Sequence, residues 1–360
     1  MTQRRDKKSP PSQKAAVFTL IAAAWIIGFL WYFFAQSIDD PNLPRTELWA
    51  MMADEVLGLS DAVPAQPTSE LKSGLPFLSQ RIPLFTWAAV ILLLAGLHGD
   101  AIYMVVLRRC RLFRTEQTVI RCGTGLGVLS IVTLCTGLAG QLTRPAIIVP
   151  AIISLITSCI IRWKCRHEPA ERHVELPADQ RSSRVIGPIV LLVIVPFTIY
   201  LLLGAVSPPT DFDVREYHLQ GPKEWFQQGR ITFLPHNVYT SFPFLTEMLS
   251  LTGMVCVKDW WRGALVGQIV LSVFQVLSAL SIFSIARRRI STDVAWLATL
   301  IYLTTPWTLR ISLIAYAEGS LAFYLISSTM CALLVGQIPG RAVGLSMIAG
   351  LLAGNAMASK

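Results

Sequence analysis

Residues 185–206, VIGPIVLLVIVPFTIYLLLGAV, form an apolar run of about 22 residues without a single charge. An α-helix rises 1.5 Å per residue, so a run of roughly this length crosses the ~30 Å hydrocarbon core of a bilayer. Inside lipid the run must be helical, because every backbone amide has to be hydrogen-bonded within its own segment. Similar runs recur along the chain. The sequence therefore predicts an all-α, polytopic transmembrane helical bundle.

The composition agrees with a membrane protein and excludes an ordinary soluble domain. Of the 360 residues, 53% are hydrophobic and only 15% are charged. The formal net charge of +9 comes from Lys and Arg residues that lie mainly in short loops between apolar runs. That distribution is a signal of membrane topology, so we expect no nucleic-acid partner.

About nine spans are predicted. They cover residues 15–34, 84–107, 123–142, 145–163, 185–206, 262–286, 293–309, 311–335 and 343–357. The basic tail at 1–14 favours a cytoplasmic N-terminus. The alternative for the first run is a cleaved signal peptide, since Ala35-Gln36-Ser37 resembles a cleavage site. A short interfacial helix is predicted near residues 48–59.

The spans are predicted to form two modules. Residues 15–163 hold four spans, residues 164–184 form a polar cytoplasmic linker, and residues 185–360 form the second module. The chain ends at Lys360 in the last turn of a predicted helix, which indicates a protein truncated on its C-terminal side.

One long external loop, residues 207–261, carries six acids against four bases together with several aromatic residues. A short helix at 222–228, closed by Gly229, is predicted within it. Residues 242–257 are apolar enough to resemble a span. A crossing there would place the arginines at 287–289 outside, against the positive-inside rule, so we predict a second interfacial helix.

Acidic residues mark two places for function. Asp211 and Asp213 lie just outside a membrane exit, where the structural alternative is ordinary turn chemistry after Pro-Pro-Thr. His98 and Asp100 interrupt the second span, and an acid inside a membrane helix is a functional candidate by default. The alternative for Asp100 is a structural contact within the bundle, since Arg108 lies only about two turns away.

The loop and the spans after it also carry an ordered set of short motifs. They are Asp213-x-x-x-Tyr217-His218-Leu219, Pro222, Trp225, Gly229-Arg230-Ile231, Leu234-Pro235, Phe242-Pro243, Glu247-Met248-Leu249, Thr305-Pro306-Trp307, Arg310, Tyr316-Ala317-Glu318 and the Ala- and Gly-rich stretch from Ala349 to Lys360. Their order and spacing resemble membrane glycosyltransferases of the GT-C superfamily. The resemblance is to the protein O-mannosyltransferase and aminoarabinose transferase-like family, in its bacterial branch with an Asp-x-x-x-Tyr-His loop. It covers residues 185–360 and leaves the first four spans without a functional account.

The resemblance implies transfer of a sugar from a polyprenyl-phosphate-linked donor to an acceptor hydroxyl, with inversion, at the external face. Asp213 matches the catalytic acidic residue of the first loop and would act as general base. Asp211 would assist it. Glu318 matches a second acidic position at which the family usually has Asp, so its role departs from the pattern.

The remaining expected site residues bind substrate. Arg215, Lys223, Arg230 and Lys360 are candidates to oppose the charge of the leaving phosphate, and the alternative for each is a snorkelling interfacial side chain. Tyr217, His218 and Glu247 complete the predicted substrate-binding set. We expect His218 to hydrogen-bond within the loop. Some relatives depend on a metal, and Asp211 and Asp213 would be the ligands of Mg or Mn.

The expected partners are the polyprenyl-phosphate sugar, a lipid or glycan acceptor and the membrane, which the resemblance implies is the bacterial inner membrane, with the active loop on the periplasmic side. Two other classes remain open: a transporter or flippase-like carrier centred on Asp100, and a non-catalytic membrane subunit.

Overall fold

A computed structural model describes residues 13–36, 46–47, 50, 75–107, 110, 112–166 and 185–360. Most of the basic tail, the predicted helix near 48–59 and most of the predicted linker at 164–184 lie outside these residues, as does Arg108. The chain divides into two compact units, residues 1–82 and 83–360. Helix α1, Gln13–Ala35, belongs to the first unit.

The described part of the chain contains helices and no strands, which confirms the predicted all-α fold class. The helices that follow α1 are α2 Leu75–Val106, α3 Arg114–Leu138, α4 Arg144–Lys164, α5 Ile186–Gly204, α6 Gln220–Gln228, α7 Glu247–Val257, α8 Trp260–Arg289, α9 Thr292–Thr304, α10 Pro306–Ser312, α11 Glu318–Val335 and α12 Ala342–Ser359. A π-helical turn, Val214–His218, precedes α6, and 3₁₀ turns lie at Val238–Ser241 and Pro339–Arg341.

Among the described residues, seven helices are long and apolar enough to cross a membrane. They are Ser79–Val106, Arg114–Leu138, Arg144–Lys164, Ile186–Gly204, Trp260–Arg289, Glu318–Val335 and Pro339–Ser359. Two of the nine predicted spans are not among these seven helices. In the predicted span at 15–34 the described residues give only a shorter apolar helix, Ala23–Tyr32. In the predicted span at 293–309, α9 has only 13 residues, and the chain turns at Thr305 before Pro306 begins α10. The residue before a proline is disfavoured in the α conformation, and Thr305 accordingly adopts an extended ψ of 119°.

Helix α8 is the centre of the second unit. The Asp259 carboxylate caps its N-terminus by accepting a hydrogen bond of 2.7 Å from the backbone N–H of Arg262. Most of the helix between Gly263 and Ala286 is buried, and α8 packs against α3, α7, α9 and α11. The core that forms around it draws residues from both predicted modules.

Helix α7 corrects the expectation of an interfacial helix at residues 242–257. It has 11 residues, about 16 Å, and is therefore too short to cross the bilayer, as predicted. However, every residue from Glu247 to Cys256 is buried, whereas a helix lying on the membrane surface would expose one face. Helix α7 thus lies inside the bundle, between α3, α4, α6 and α8.

Small residues allow α7 to pack directly on α8. A Cβ atom added to Gly263 would lie 2.3 Å from the Met254 Cα, and one added to Gly253 would lie 2.5 Å from the Gly263 carbonyl oxygen. The two backbones are therefore in contact, a kind of packing that small residues permit in membrane bundles. On another side of α7, the Thr133 and Thr252 hydroxyls lie 2.7 Å apart and connect α3 to α7.

A buried ion pair joins α3 to α8 at the end of the bundle away from the long loop. The Arg288 guanidinium donates two hydrogen bonds of 2.6 Å to the Glu116 carboxylate, whose side chain is only 1% exposed. The backbone N–H of Phe113 also donates to this carboxylate, at 2.8 Å. The sequence predicted Arg288 only as a topology signal, so its partner is a finding of the structure.

Candidate functional site

Asp211, the first of the two loop aspartates, is held by a tyrosine from a distant part of the chain. The Tyr316 hydroxyl donates a hydrogen bond of 2.6 Å to Oδ1 of Asp211, and the backbone N–H of Asp213 donates to the same oxygen at 3.1 Å. Asp211 therefore fixes the start of the π-helical turn against the segment that precedes α11. Asp213 itself is half-buried and lies next in the chain to that turn.

The predicted second acid, Glu318, lies in the same neighbourhood. It begins α11, and its Oε1 forms an ion pair with the ammonium of Lys360 at the end of α12. Its other oxygen is buried with no hydrogen-bond partner among the described residues. Asp213 and Glu318 both act electrostatically on Tyr217 and Tyr316, which places the two acids around the same pair of phenols. We call Asp211, Asp213, Tyr217, Tyr316, Glu318 and Lys360 the acid cluster.

His218 and Glu247 form a pair behind the acid cluster. Nδ1 of His218 and Oε1 of Glu247 lie 2.6 Å apart, and each side chain is only 4% exposed. Burial raises the pKa of the Glu247 carboxyl. The predicted hydrogen bond of His218 within the loop is present, but neither residue faces open space. The pair connects the π-helical turn to the start of α7.

Within the acid cluster, Tyr217 stacks on Tyr239, with ring centroids 5.1 Å apart. Burial, together with the nearby Asp213 and Glu318 carboxylates, raises the pKa of Tyr217 to about 12. The phenol is consequently neutral at any physiological pH and keeps its proton for hydrogen bonding.

This pKa gives a prediction for alkaline titration. Because the folded-state pKa of Tyr217 is raised, its stabilising contribution is present below the unfolded value of about 10 and is lost as the pH rises towards about 12. The difference in tyrosinate absorbance between the wild type and Tyr217→Phe should have its midpoint near pH 12. In guanidinium the midpoint should return to about 10. A midpoint near 10 in the folded protein would contradict the described environment.

A cavity of about 640 Å³ opens on another face of the same loop segment. Its walls come from the start of the loop, from α6 and from the first turns of α8. The lining residues are Pro209, Thr210, Phe212, Arg215, Glu216, Leu219, Gln220, Lys223, Trp260, Trp261 and Ala264. Two of the predicted cations, Arg215 and Lys223, thus share one cavity. The Lys223 ammonium lies over the Trp260 ring, 4.4 Å from its centroid.

The third predicted loop cation, Arg230, lies elsewhere. It follows Gly229, which ends α6 in the left-handed conformation with φ of 71°, and its side chain is exposed. The neighbouring backbone N–H of Ile231 binds the Gly137 carbonyl at the end of α3, at 2.9 Å. Arg230 is therefore positioned beside α3, away from the cavity lining and from the acid cluster.

The acid in the second span is paired inside the bundle. Asp100 receives a hydrogen bond of 2.7 Å from Arg162 on α4 and lies 3.5 Å from Nε of Arg121 on α3. Nδ1 of His98, two residues earlier, lies 2.9 Å from the Ser154 hydroxyl. The interpretation of Asp100 as a contact within the bundle agrees with this geometry, and the described partners are Arg162 and Arg121.

The described residues offer few ligands for a metal ion at this site. Within the described residues, no three His, Cys, Asp or Glu side chains converge in a way that could hold a metal ion. Asp211 and Asp213 would be the ligands, and one Asp211 oxygen is already bonded to Tyr316. Mg²⁺ often completes its coordination with water and substrate phosphate, so Mg or Mn dependence stays a prediction.

Comparison of the chain with models of protein families, with curated proteins and with solved structures gives no match. The apolar helices support a membrane-embedded protein.

Proposed function

We propose that the protein is a membrane glycosyltransferase that transfers a sugar from a polyprenyl-phosphate-linked donor to the hydroxyl of a lipid or glycan acceptor. The observation that supports this proposal is the acid cluster, in which two loop carboxylates meet Tyr316 and Glu318 at one end of a membrane bundle. Acids collected at one end of the bundle suit an enzyme whose lipid-linked substrate lies in the membrane and whose acceptor comes from outside.

In the proposed reaction Asp213 is the general base. The acceptor oxygen forms a bond to the anomeric carbon of the sugar while the bond from that carbon to the phosphate oxygen breaks. The hydroxyl proton moves to the Asp213 carboxylate, and the electron pair of the broken bond leaves with the polyprenyl phosphate. Displacement from the opposite side inverts the anomeric carbon.

Asp211 and Tyr316 are proposed as positioning residues for this step. The Asp211 side chain holds the backbone N–H of Asp213, and the neutral Tyr316 hydroxyl holds Asp211. Burial and the hydrogen bond to Asp211 raise the pKa of Tyr316, so its proton stays in place over the working pH range. Hydrogen bonds from neutral donors to a carboxylate keep the loop in a fixed geometry.

Lys360 is proposed to oppose the negative charge of the leaving phosphate. It is half-exposed and already contacts Glu318, so its ammonium lies at the edge of the acid cluster. A cation at that position stabilises charge that develops as the sugar–phosphate bond breaks. Arg215 and Lys223 line the cavity and are not part of the acid cluster.

The function is tested with the protein in membranes or nanodiscs and a polyprenyl-phosphate donor labelled in its sugar. We expect time-dependent loss of the labelled donor and appearance of label in an acceptor fraction. If the wild type instead moves labelled donor across the membrane with its sugar–phosphate bond intact, the protein is a carrier and the proposal is wrong. If the donor is neither consumed nor moved, a non-catalytic subunit is supported.

The bacterial inner membrane, with the acid cluster on its periplasmic side, is the proposed location. Labelling of single cysteines with a membrane-impermeant reagent tests the orientation. A cysteine at the exposed Phe212 should react in intact cells if the loop is external.

A further inference from the structure

The cavity has the size and the lining of a binding site for a small polar molecule. Its volume of about 640 Å³ falls within the range of roughly 300–1,000 Å³ typical of ligand pockets. None of its lining residues belongs to the acid cluster. Its lining combines cations, aromatic rings and polar acceptors, and each group favours a different part of a ligand.

The two cations favour an anionic group. The Arg215 side chain is exposed and has no ion pair among the described residues. The only described partner of the Lys223 ammonium is the Trp260 ring, which lies beneath it. A guanidinium offers paired donors that match phosphate or carboxylate oxygens, and an ammonium adds a second positive charge in the same cavity.

The aromatic residues favour a ring with an apolar face. Trp260 and Trp261 are 38% and 39% exposed and meet edge to face, with centroids 5.6 Å apart. Both line the cavity, and so does Phe212, which is 74% exposed. Amphipathic aromatic rings with one open face can stack on the C–H faces of a sugar ring while their edges stay near water.

The remaining polar groups favour hydroxyls over a simple anion. Glu216 is an exposed carboxylate in the cavity wall and can only accept hydrogen bonds. A carboxylate repels a bare phosphate but accepts hydrogen bonds from the hydroxyls of a polyol. Thr210 and Gln220 add further polar lining.

We propose that this cavity binds an acidic saccharide, meaning a sugar ring that bears a phosphate or a carboxylate. Arg215 and Lys223 bind the anionic group, Trp260 and Trp261 stack on the ring, and Glu216 accepts hydrogen bonds from hydroxyls. This role rests on the proposed function, in which the saccharide is the part of the acceptor remote from the reacting hydroxyl. Binding of such a remote part contributes to catalysis by orienting the acceptor.

The experiment is a calorimetric titration of the full chain in phosphatidylcholine nanodiscs without any donor. The probes are glucose 6-phosphate and glucuronate, which carry a ring and an anion, compared with glucose alone and inorganic phosphate alone. We expect both acidic sugars to bind more tightly than either fragment. Arg215→Gln and Lys223→Gln should each weaken acidic-sugar binding roughly 10- to 100-fold.

The matched control is Arg262→Gln, which removes an exposed arginine next to the tryptophans but outside the cavity lining. It should leave the affinity unchanged. Arg215→Lys keeps the charge but loses the paired donors, so it should retain part of the affinity. Melting temperatures of all variants separate loss of the site from loss of the fold.

Several outcomes would overturn the inference. Inorganic phosphate binding as tightly as glucose 6-phosphate would make the cavity a simple anion site. Displacement of the probes by phosphatidylglycerol in the nanodisc would make it a lipid headgroup site. Absence of saturable binding in a correctly folded wild type would show that the cavity does not bind an acidic saccharide. Sugar transfer without binding here refutes only this inference, whereas binding without transfer refutes only the proposed function.

Discussion

Replacing Asp213 with Asn is expected to lower the rate of sugar transfer by about 10²- to 10⁴-fold, the usual contribution of a general base. Asn has nearly the same shape as Asp, but its amide cannot accept the acceptor's proton. The Asp213 side chain makes none of the described hydrogen bonds of the loop; its backbone N–H makes the contact with Asp211. The variant should therefore fold normally and lose rate, measured as transfer of labelled sugar from the polyprenyl-phosphate donor.

Asp259→Asn is the matched control for that experiment. Asp259 is an exposed acid at the end of the same loop, and its side chain caps α8. Asn caps helix N-termini as well as Asp does, so this change should leave the stability of the fold unchanged. The rate of sugar transfer should stay within about twofold of the wild type. Full transfer activity in Asp213→Asn would show that another residue is the base.

Replacing Arg288 with Met is expected to destabilise the bundle by about 3–5 kcal/mol, because it leaves the buried Glu116 carboxylate without its charged partner. Glu116 is fully buried, and both of its oxygens accept hydrogen bonds from Arg288. The loss should be visible as a lower melting temperature in detergent and as a lower unfolding midpoint in a denaturant titration.

Arg289→Met is the neighbouring control. Arg289 follows Arg288 in the chain, carries the same charge and is exposed. Its replacement should change stability by no more than about 0.5 kcal/mol. Combining Arg288→Met with Glu116→Gln should recover much of the loss, since the buried charge is then gone. Equal destabilisation by both arginine variants would mean that net positive charge, and not the ion pair, is what matters.

Much of the fold could be predicted because membrane insertion leaves a strong local signal. The run at residues 185–206 became α5, and the short helix ending at Gly229 became α6, since each depends on residues close together in sequence. Helix α7 was harder to place. Its apolar sequence is equally suited to a lipid-facing surface and to a protein interior, and only its packing against α3 and α8 decides between them.

The candidate site was predictable as a set of residues but not as an arrangement. Asp211 and Asp213 stand out in the sequence as acids beside a membrane exit. That Tyr316 would bond Asp211 depends on a contact across 105 residues, for which one sequence offers no signal. Similarly, Arg215 and Arg230 look alike in sequence. One lines the cavity and the other lies beside α3, because α6 separates them and ends in a left-handed turn.

The position of α7 has a consequence for biosynthesis. An 11-residue helix is too short to be inserted as a span on its own. The helices against which it packs include α3, which is synthesised earlier, and α8, which is synthesised later. The helix can reach its place only once both neighbours have crossed the bilayer and begun to associate, the second stage of membrane-protein assembly. The residues that it carries, Glu247 among them, therefore join the acid-bearing loop late. A nascent chain stopped before α8 would hold Asp213 without the surroundings described here.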